Sequence, residues 1–298
     1  MKYTIFSGCL VQTRFPEYEK STRLILDKLS LEFEFIDNFS CCGSQIVESI
    51  DKNTLLVIAG RNLALAEKKG VDIILTLCGS CTYILKKSII ELQDEMKRQK
   101  VNKILSKNKL EFNNKIKIKH LAEFLSEEDV FQQLKSNFKT IIKLKLALQN
   151  PCMLYRPKRI MQIKKDEKSL ISNLLKQIGA KIISQEFQDK CCEGTMLAFK
   201  KNIGEPLAKK RYETIIQLGI DLFVVGCPNC QLVYSIFPSV LNSEMIPSIF
   251  FPQIIGLALG YSFNEVGLCR NIDHIKIRKI LESKSLIKKS RRKVNCPN

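Results

Sequence analysis

The sequence predicts an α/β fold built from two duplicated halves, each with a parallel sheet of the Rossmann or flavodoxin type and with cysteines at the carboxyl ends of its strands. Three observations predict it. Short apolar runs alternate with segments of helical spacing, which is typical of a parallel sheet with helices on its faces. Ten of the twelve cysteines fall into two sets of similar spacing. The residues around those sets repeat at an offset of 149.

The first half contains three apolar runs of strand length, each followed by cysteine. Its predicted strands are residues 3–6, 32–36 and 71–77, and its predicted helices are 21–29, 55–69 and 82–98. The run at 71–77 is continuously apolar, as expected for a strand buried on both faces. The second half repeats the order, with helices predicted at 169–178 and 207–218 and strands at 181–184 and 220–225.

The cysteines define the duplication. The first set is Cys9, Cys41, Cys42, Cys78 and Cys81, and the second is Cys152, Cys191, Cys192, Cys227 and Cys230. The gaps are 31 and 35 residues in the first set and 38 and 34 in the second. Every group follows a predicted strand, and ligands of open α/β sheets bind at the carboxyl ends of strands. Five thiols that are distant in sequence are therefore expected to converge in each half.

The domain boundaries follow from this repeat. Residues 1–143 are predicted to form an N-terminal cysteine-rich domain, with a basic, exposed insertion near 96–119 that is rich in Lys, Asn and Ile. Residues 144–275 are predicted to form the second cysteine-rich domain, and residues 276–298 a basic C-terminal tail.

Composition restricts the class of protein. The chain has 298 residues, 45% hydrophobic and 26% charged, which is enough for two globular cores. No run approaches the roughly 18 apolar residues of a membrane span, and no signal peptide is recognised, so a cytoplasmic protein is expected, peripheral to a membrane only through partners. In a reducing compartment, clustered cysteines more often bind metal or carry out redox chemistry than form disulfides.

The ligand types favour iron–sulfur clusters. With only two histidines, His120 and His274, any metal site must be mainly thiolate. A single tetrahedral zinc takes four ligands, one fewer than each set offers. Zinc in one site stays open as an alternative, as do disulfides. Neither histidine is expected to be a ligand. Cys269 and Cys296 fall outside the pattern and are expected to be ordinary thiols.

The net charge of +18 leaves a different class of function to consider. A zinc-containing, basic nucleic-acid-binding protein would have such a charge. However, the basic residues are not interleaved with aromatic ones, the chain has no tryptophan, and no known binding module is recognised. No nucleic-acid partner is therefore expected.

The chain resembles the B subunit of heterodisulfide reductase, a family with two cysteine-rich CCG domains. The resemblance covers roughly residues 1–272. The segments that carry it are FSGC (6–9), EKSTR (19–23), CCG (41–43), AGRNL (59–63), CGSC (78–81), HLAE (120–123), RP (156–157), CPNC (227–230) and QIIGLALG (253–260). It implies that each five-cysteine set holds one non-cubane [4Fe-4S] cluster.

The same resemblance implies an enzyme that acts on sulfur groups. Its family reduces the mixed disulfide of coenzyme M and coenzyme B in methanogenesis, by one-electron steps at the two clusters. The implied partners are a cubane iron–sulfur subunit similar to the family's C subunit, a flavin- or membrane-linked electron donor and a small anionic disulfide. Two relatives within the domain family remain alternatives: an electron-transfer subunit of a succinate or fumarate:quinone reductase, and a sulfur-oxidising complex.

The second half contains the departures from the family pattern. Glu193 follows the second cysteine doublet where the family has glycine, a residue that suggests positive φ or close backbone approach. Met153 stands where histidine is common. Because the substrate would be anionic, Arg156, Lys158 and Arg159, just after Cys152, are candidate substrate-binding residues.

Overall fold

The chain folds into two compact units, seen in a computed structural model that describes residues 1–161, 170–240 and 246–288. Among the described residues, the first unit comprises 1–13, 30–124 and 153–161, and the second comprises 14–29, 125–152, 170–240 and 246–288. Each unit therefore includes a short segment from the opposite half of the sequence. The predicted boundary at 143/144 stays a prediction.

The first unit is built on a four-stranded parallel sheet with the strand order β2-β1-β3-β4. The strands are β1 (Lys2–Phe6), β2 (Glu32–Phe33), β3 (Ile73–Thr76) and β4 (Lys117–His120). Tyr3 lies opposite Ile73 and Phe6 opposite Thr76, so β1 and β3 end at the same edge. All four residues of β3 are buried, as expected for a strand covered on both faces.

The second unit repeats this sheet. Its order is β6-β5-β7-β8, again all parallel. The strands are β5 (Lys145–Gln149), β6 (Lys181–Ile182), β7 (Leu222–Val225) and β8 (Ser248–Phe250). In both sheets the order reverses beside the first strand, as in flavodoxin-type folds, which bind ligands at that switch point. The predicted α/β class with two duplicated parallel-sheet halves is confirmed.

Helices alternate with the strands along the chain. They are α1 (Cys9–Arg14), α2 (Pro16–Lys28), α3 (Ser44–Ile50), α4 (Lys52–Lys68), α5 (Gly79–Glu91), α6 (Glu95–Leu105), α7 (Leu121–Leu125), α8 (Glu128–Lys135), α9 (Cys152–Tyr155), α10 (Lys158–Met161), α11 (Leu170–Gln177), α12 (Gly194–Phe199), α13 (Lys201–Ile216), α14 (Pro228–Val240), α15 (Phe251–Ala258) and α16 (His274–Ser283). Among the described residues, no helix is both long and apolar enough to cross a membrane.

The sequence repeat has a structural counterpart at the start of each sheet. Gly70 and Gly219 both have positive φ, +68° and +59°, and each turns the chain after a long helix. Two residues later, Asp72 accepts a hydrogen bond from the backbone N–H of Lys2 at 2.8 Å. Asp221 does the same for Lys145 at 2.7 Å. The repeated motif therefore ties the first strand of each sheet to the third.

Two segments are more buried than the sequence predicts. The segment 96–119, expected to be an exposed helix and loop, contains most of α6 and β4, and Phe112 is fully buried. The single helix expected at 82–98 ends instead at Glu91, and α6 begins after Asp94, whose side chain caps it. In the predicted tail, α16 buries Ile277 and Leu281, so the start of that tail is packed helix. Residues 289–298 lie outside the described residues.

Candidate iron–sulfur sites

The first cysteine set gathers at the carboxyl edge of the first sheet. Cys9 begins α1 just after β1, and Cys78 follows β3 and precedes α5. Cys81 lies in the first turn of α5, while Cys41 and Cys42 lie in the loop after β2. Strand ends and short turns thus bring together thiols that are up to 72 residues apart in sequence.

The sulfur atoms of this set contact one another. Cys41 Sγ lies 3.7 Å from Cys9 Sγ. Hydrogen bonds between thiols also join Cys41 to Cys42, Cys42 to Cys81 and Cys81 to Cys78, so all five side chains form one connected group. Cys42, Cys78 and Cys81 are buried, whereas Cys9 and Cys41 are exposed. Three of the five thiols are thus shielded from solvent, and solvent reaches the site at the other two.

The thiols of the first set differ in their acidity. The pKa of Cys41 is lowered to about 2, because it accepts hydrogen bonds from the thiols of Cys42 and Cys9 and from the backbone N–H of Gly43. The pKa of Cys42 is raised to about 12 by its hydrogen bond to Cys41. Hydrogen bonds to Cys42 and Cys78, with burial, raise the pKa of Cys81 strongly. The thiol of Cys41 ionises easily. Its negative charge opposes the ionisation of a neighbouring thiol unless a cation binds to both sulfurs.

The second set repeats this arrangement at the edge of the second sheet. Cys152 begins α9 after β5, Cys191 and Cys192 lie in the loop after β6, Cys227 follows β7, and Cys230 lies in the first turn of α14. Hydrogen bonds from the thiols of Cys152 and Cys192 lower the pKa of Cys191 to about 2. The pKa of Cys230 is raised by hydrogen bonds to Cys192 and Cys227 and by burial. The first cysteine of each doublet is thus the acidic one.

Local hydrogen bonds hold the first doublet. Asn62 of α4 is fully buried and accepts a hydrogen bond from the backbone N–H of Ser40 at 2.9 Å, while its amide donates to the Ser40 carbonyl at 3.2 Å. Gly43, just past the doublet, has φ +86°. Beyond it, Gln45 accepts a hydrogen bond from Ser80 of α5 at 2.9 Å. The doublet is therefore fixed on both sides.

The second doublet is held by different residues. Gln149, at the end of β5, donates its amide to the carbonyl of Lys190 at 2.7 Å. Glu193 adopts φ +66°, close to the value at Gly43, so the position requires a left-handed turn and a glutamate fills it. Its carboxylate accepts a hydrogen bond from Arg211 at 2.7 Å. Burial raises the pKa of Glu193, and Arg211 opposes that rise.

Sequence reasoning missed Asn62, Gln149 and Arg211. One signal was available, because Asn62 and Arg211 are 149 residues apart and occupy the same position of the repeated helix. Nothing in the sequence, however, distinguishes a buried polar residue on α4 or α13 from an exposed one.

The three basic candidates lie in the first unit. Arg156, Lys158 and Arg159 are exposed, and the last two belong to α10, which packs on α5. Arg159 lies near Tyr83 of α5, where its charge partly offsets the rise that burial causes in the pKa of that phenol. Their role in substrate binding stays a prediction.

The remaining candidates have structural roles. His120 is fully buried, and its Nδ1 accepts a hydrogen bond from the backbone N–H of Ala122 at 3.1 Å, at the start of α7. Cys269 is disulfide-bonded, so the expectation of an ordinary thiol is wrong for it, and Cys296 lies outside the described residues.

Within residues 1–161, 170–240 and 246–288, no group of three or more His, Cys, Asp or Glu side chains is arranged to hold a metal ion.

Comparison with known proteins identifies the family. The CCG family, described as a cysteine-rich domain, matches residues 3–86 and 146–234. The chain is 31% identical over 280 residues to the B subunit of the "Ferredoxin/F(420)H(2)-dependent CoB-CoM heterodisulfide reductase" of Methanosarcina acetivorans, covering 91% of this chain and 93% of that protein. This chain belongs to the family of heterodisulfide reductase B subunits. The relatives that identify the family are B subunits of CoB-CoM heterodisulfide reductases, which are oxidoreductases that act on sulfur groups.

The chain also matches proteins that are less similar to it. The chain is 26% identical over 278 residues to the "8-methylmenaquinol:fumarate reductase membrane anchor subunit" of Wolinella succinogenes, covering 91% of this chain and 96% of that one. A crystal structure of a hypothetical protein from Helicobacter pylori matches with a TM-score of 0.72 at 18% identity, over 90% of this chain. This chain spans 51% of that structure, and at 18% identity the match supports the fold alone.

Proposed function

We propose that each five-cysteine set binds one non-cubane [4Fe-4S] cluster. The proposal is carried by the convergence of five thiols from three strand ends in each unit, which exceeds the four ligands that one tetrahedral ion takes. Thiolate sulfur is the ligand that iron–sulfur clusters use. The donor set therefore fits the cluster, and zinc at one site is the competing occupant.

The electrostatics of the thiols also favours the binding of a cluster in each set. Cys9, Cys42 and Cys81 each neighbour another sulfur that would carry negative charge, and that proximity, together with burial, raises their pKa values. A bound cluster would supply cationic iron, which would replace the shared protons and leave every sulfur as a thiolate. Binding should therefore release protons and stabilise both cysteine-rich edges.

We further propose that the chain reduces a small anionic disulfide, the mixed disulfide of coenzymes M and B. Two electrons and two protons enter, the S–S bond breaks, and two thiols leave. When bound, the clusters would supply electrons one at a time and iron atoms with affinity for sulfur. The chain's own residues hold the ten thiolates, and Arg156, Lys158 and Arg159 attract the negative substrate.

The proposed partners deliver the electrons. They are a cubane iron–sulfur subunit and, behind it, a flavin- or membrane-linked donor. This assignment is supported by relatives that are named as subunits of multi-subunit reductases. We place the complex in the cytoplasm, with any membrane association made through the partners.

The test is disulfide reduction by the anaerobically purified complex. A reduced one-electron dye donates electrons, the mixed disulfide is supplied, and free thiol is counted. We expect two thiols for every two electrons consumed, and loss of the reaction in Cys41→Ser and Cys192→Ser. Ser106→Ala, at an exposed serine that caps the end of α6, serves as the control. Oxidation of dye without thiol formation would refute the proposal.

A second candidate is favoured by the Wolinella relative, whose alignment covers nearly the whole chain. In that case the chain would pass electrons between a quinol and a fumarate reductase flavoprotein and would not reduce a disulfide. Copurification with a flavoprotein, together with quinol oxidation linked to fumarate reduction, distinguishes this candidate.

A further inference from the structure

The two cysteine doublets are held by different residues at three matched positions. The first half has Gly43, Leu55 and Asn62, and the second has Glu193, Gly204 and Arg211. Positions 55 and 62 match 204 and 211 at the offset of 149, while 43 and 193 each directly follow a doublet. In the first half the turn has glycine and the helix has leucine. In the second half the turn has the larger residue, glutamate, and the matching helix position has glycine.

Packing explains why the exchange is coordinated. A Cβ atom on Gly43 would lie 2.8 Å from Leu55 Cδ1, a distance that real Cβ contacts do not show. A side chain after the first doublet would therefore require Leu55 to shift, at a backbone φ of +86° that favours glycine. In the second half the residue matching Leu55 is Gly204, so that side-chain contact is removed. A Cβ on Gly204 would itself lie 2.8 Å from the backbone nitrogen of Leu197, so α12 and α13 approach closely there.

Arg211 and Glu193 form a buried ion pair. Arg211 Nη2 lies 2.7 Å from Glu193 Oε1, and the two side chains are only 8% and 11% exposed. The guanidinium also lies over the ring of Phe187, 5.3 Å from its centroid. Because the loss of one partner would leave the other as an unpaired buried charge, the two residues depend on each other.

The role of Asn62 in the first half is divided between two residues in the second. Asn62 holds Ser40, the residue before the doublet. The matching residue, Lys190, is held by Gln149, which also accepts a hydrogen bond from Tyr234 at 2.8 Å. Arg211, which occupies the position of Asn62, bonds instead to Glu193, the residue after the doublet. There a non-glycine residue at φ +66° is held against its backbone preference.

We infer that Arg211, acting through Glu193, is a positioning residue that fixes the left-handed turn after Cys192 and so shapes the second cysteine set. The first set obtains the same turn from glycine. The inference about the turn concerns the protein alone, and the inference about metal loading rests on the proposed function. The two sites should consequently respond differently to the loss of a buried arginine.

The experiment is a double-mutant cycle with two measurements. Arg211→Met, Glu193→Gly and the double variant Glu193→Gly/Arg211→Met are compared with the wild-type chain. Arg278→Met is the control, because Arg278 lies over Phe263, 4.4 Å from its ring centroid, and pairs with Glu282 at 3.7 Å in the same unit. Thermal midpoint of the metal-free protein and iron per chain after anaerobic purification are recorded.

Arg211→Met should lower the thermal midpoint by about 10 °C, from the loss of one partner of a buried pair, and should halve the iron content. Glu193→Gly should also lower the midpoint, because it leaves Arg211 unpaired. The double variant removes both partners of the ion pair and places glycine at the turn, as in the first half, so it should recover most of both losses. Arg278→Met should leave the iron content unchanged.

Additive effects of the two substitutions on the thermal midpoint would overturn the inference. So would an iron content that stays at the wild-type value in Arg211→Met. If the wild-type chain binds no iron but the midpoints still show coupling, the proposed function fails while the turn-fixing role of Arg211 survives.

Discussion

Glu17 offers a quantitative test of how α2 packs in the second unit. Its side chain lies in the first turn of α2, only 5% exposed, and burial raises the pKa of its carboxyl to about 7, a rise that Arg270 partly opposes. Gly267 approaches it so closely that a Cβ there would lie 2.5 Å from Glu17 Cβ. In the unfolded chain the pKa returns to about 4.3. The folded chain therefore binds a proton more tightly than the unfolded one.

The sign and size of the effect follow. Below about pH 4 both states are protonated, and above pH 7 both are ionised. Between these values only the unfolded state ionises, so the wild type loses stability as pH rises. A pKa difference of about 2.7 corresponds to about 3.7 kcal/mol. Glu17→Gln, which keeps the shape without the charge, should be more stable than the wild type by about that amount at pH 8 and nearly equal to it at pH 4.

Urea unfolding of the metal-free protein at a series of pH values measures this difference. Glu19→Gln is the control, since Glu19 is partly exposed on the same helix and pairs with Arg23 at 2.9 Å, an interaction worth about 0.5 kcal/mol. A Glu17→Gln difference that does not change with pH, or one that favours the wild type at pH 8, would refute the burial argument.

Three further predictions concern the sites. Gly8→Ala would place a Cβ 3.0 Å from Cys81 Sγ at φ +77°, so iron bound by the first set should be lost, while iron retained at the wild-type value would count against that geometry. Asn62→Leu should lower the free energy of unfolding by about 1–3 kcal/mol, because Ser40 loses its partners, and urea unfolding checks this. Lys158→Ala/Arg159→Ala should raise KM several-fold and leave kcat nearly unchanged, and steady-state kinetics with an unchanged KM would contradict a substrate-binding role.

The sequence predicted the architecture because the repeat encodes it twice. The apolar runs before Cys78 and Cys227 form β3 and β7. The glycine before each run makes a left-handed turn, and the aspartate accepts a hydrogen bond from the first strand of its sheet. The strand expected at 32–36 shortened to two residues in β2, since only its start pairs with β1. Periodicity identifies a run that is able to form a strand, but pairing decides how much of it does.

Two of the edge strands, β4 and β8, were missed for a physical reason. β4 reads Lys117, Ile118, Lys119 and His120, and it pairs with β3 on one side only. An edge strand tolerates charged residues, so its composition resembles an exposed loop. β8 has three residues, which is too short for a period-two pattern to be recognised. The same ambiguity explains why segment 96–119 was expected to be exposed.

The thiols were predictable, and the residues that hold them were not. Cysteine spacing alone identified the ten residues that the structure gathers into two groups. Asn62, Gln149 and Arg211 act through contacts across 18 to 41 residues, and such contacts exist only once the sheet is formed. Glu193 was recognised as a departure, but its compensation by Arg211 required the fold.

The most direct test of the two-cluster proposal is a count of iron, acid-labile sulfide and zinc per chain on anaerobically purified protein. Two clusters predict about eight irons and about eight sulfides, reduced to about half by Cys41→Ser and equally by Cys192→Ser. Zinc without iron or sulfide would contradict the redox function. About four irons, lost only in Cys41→Ser, would contradict the second site.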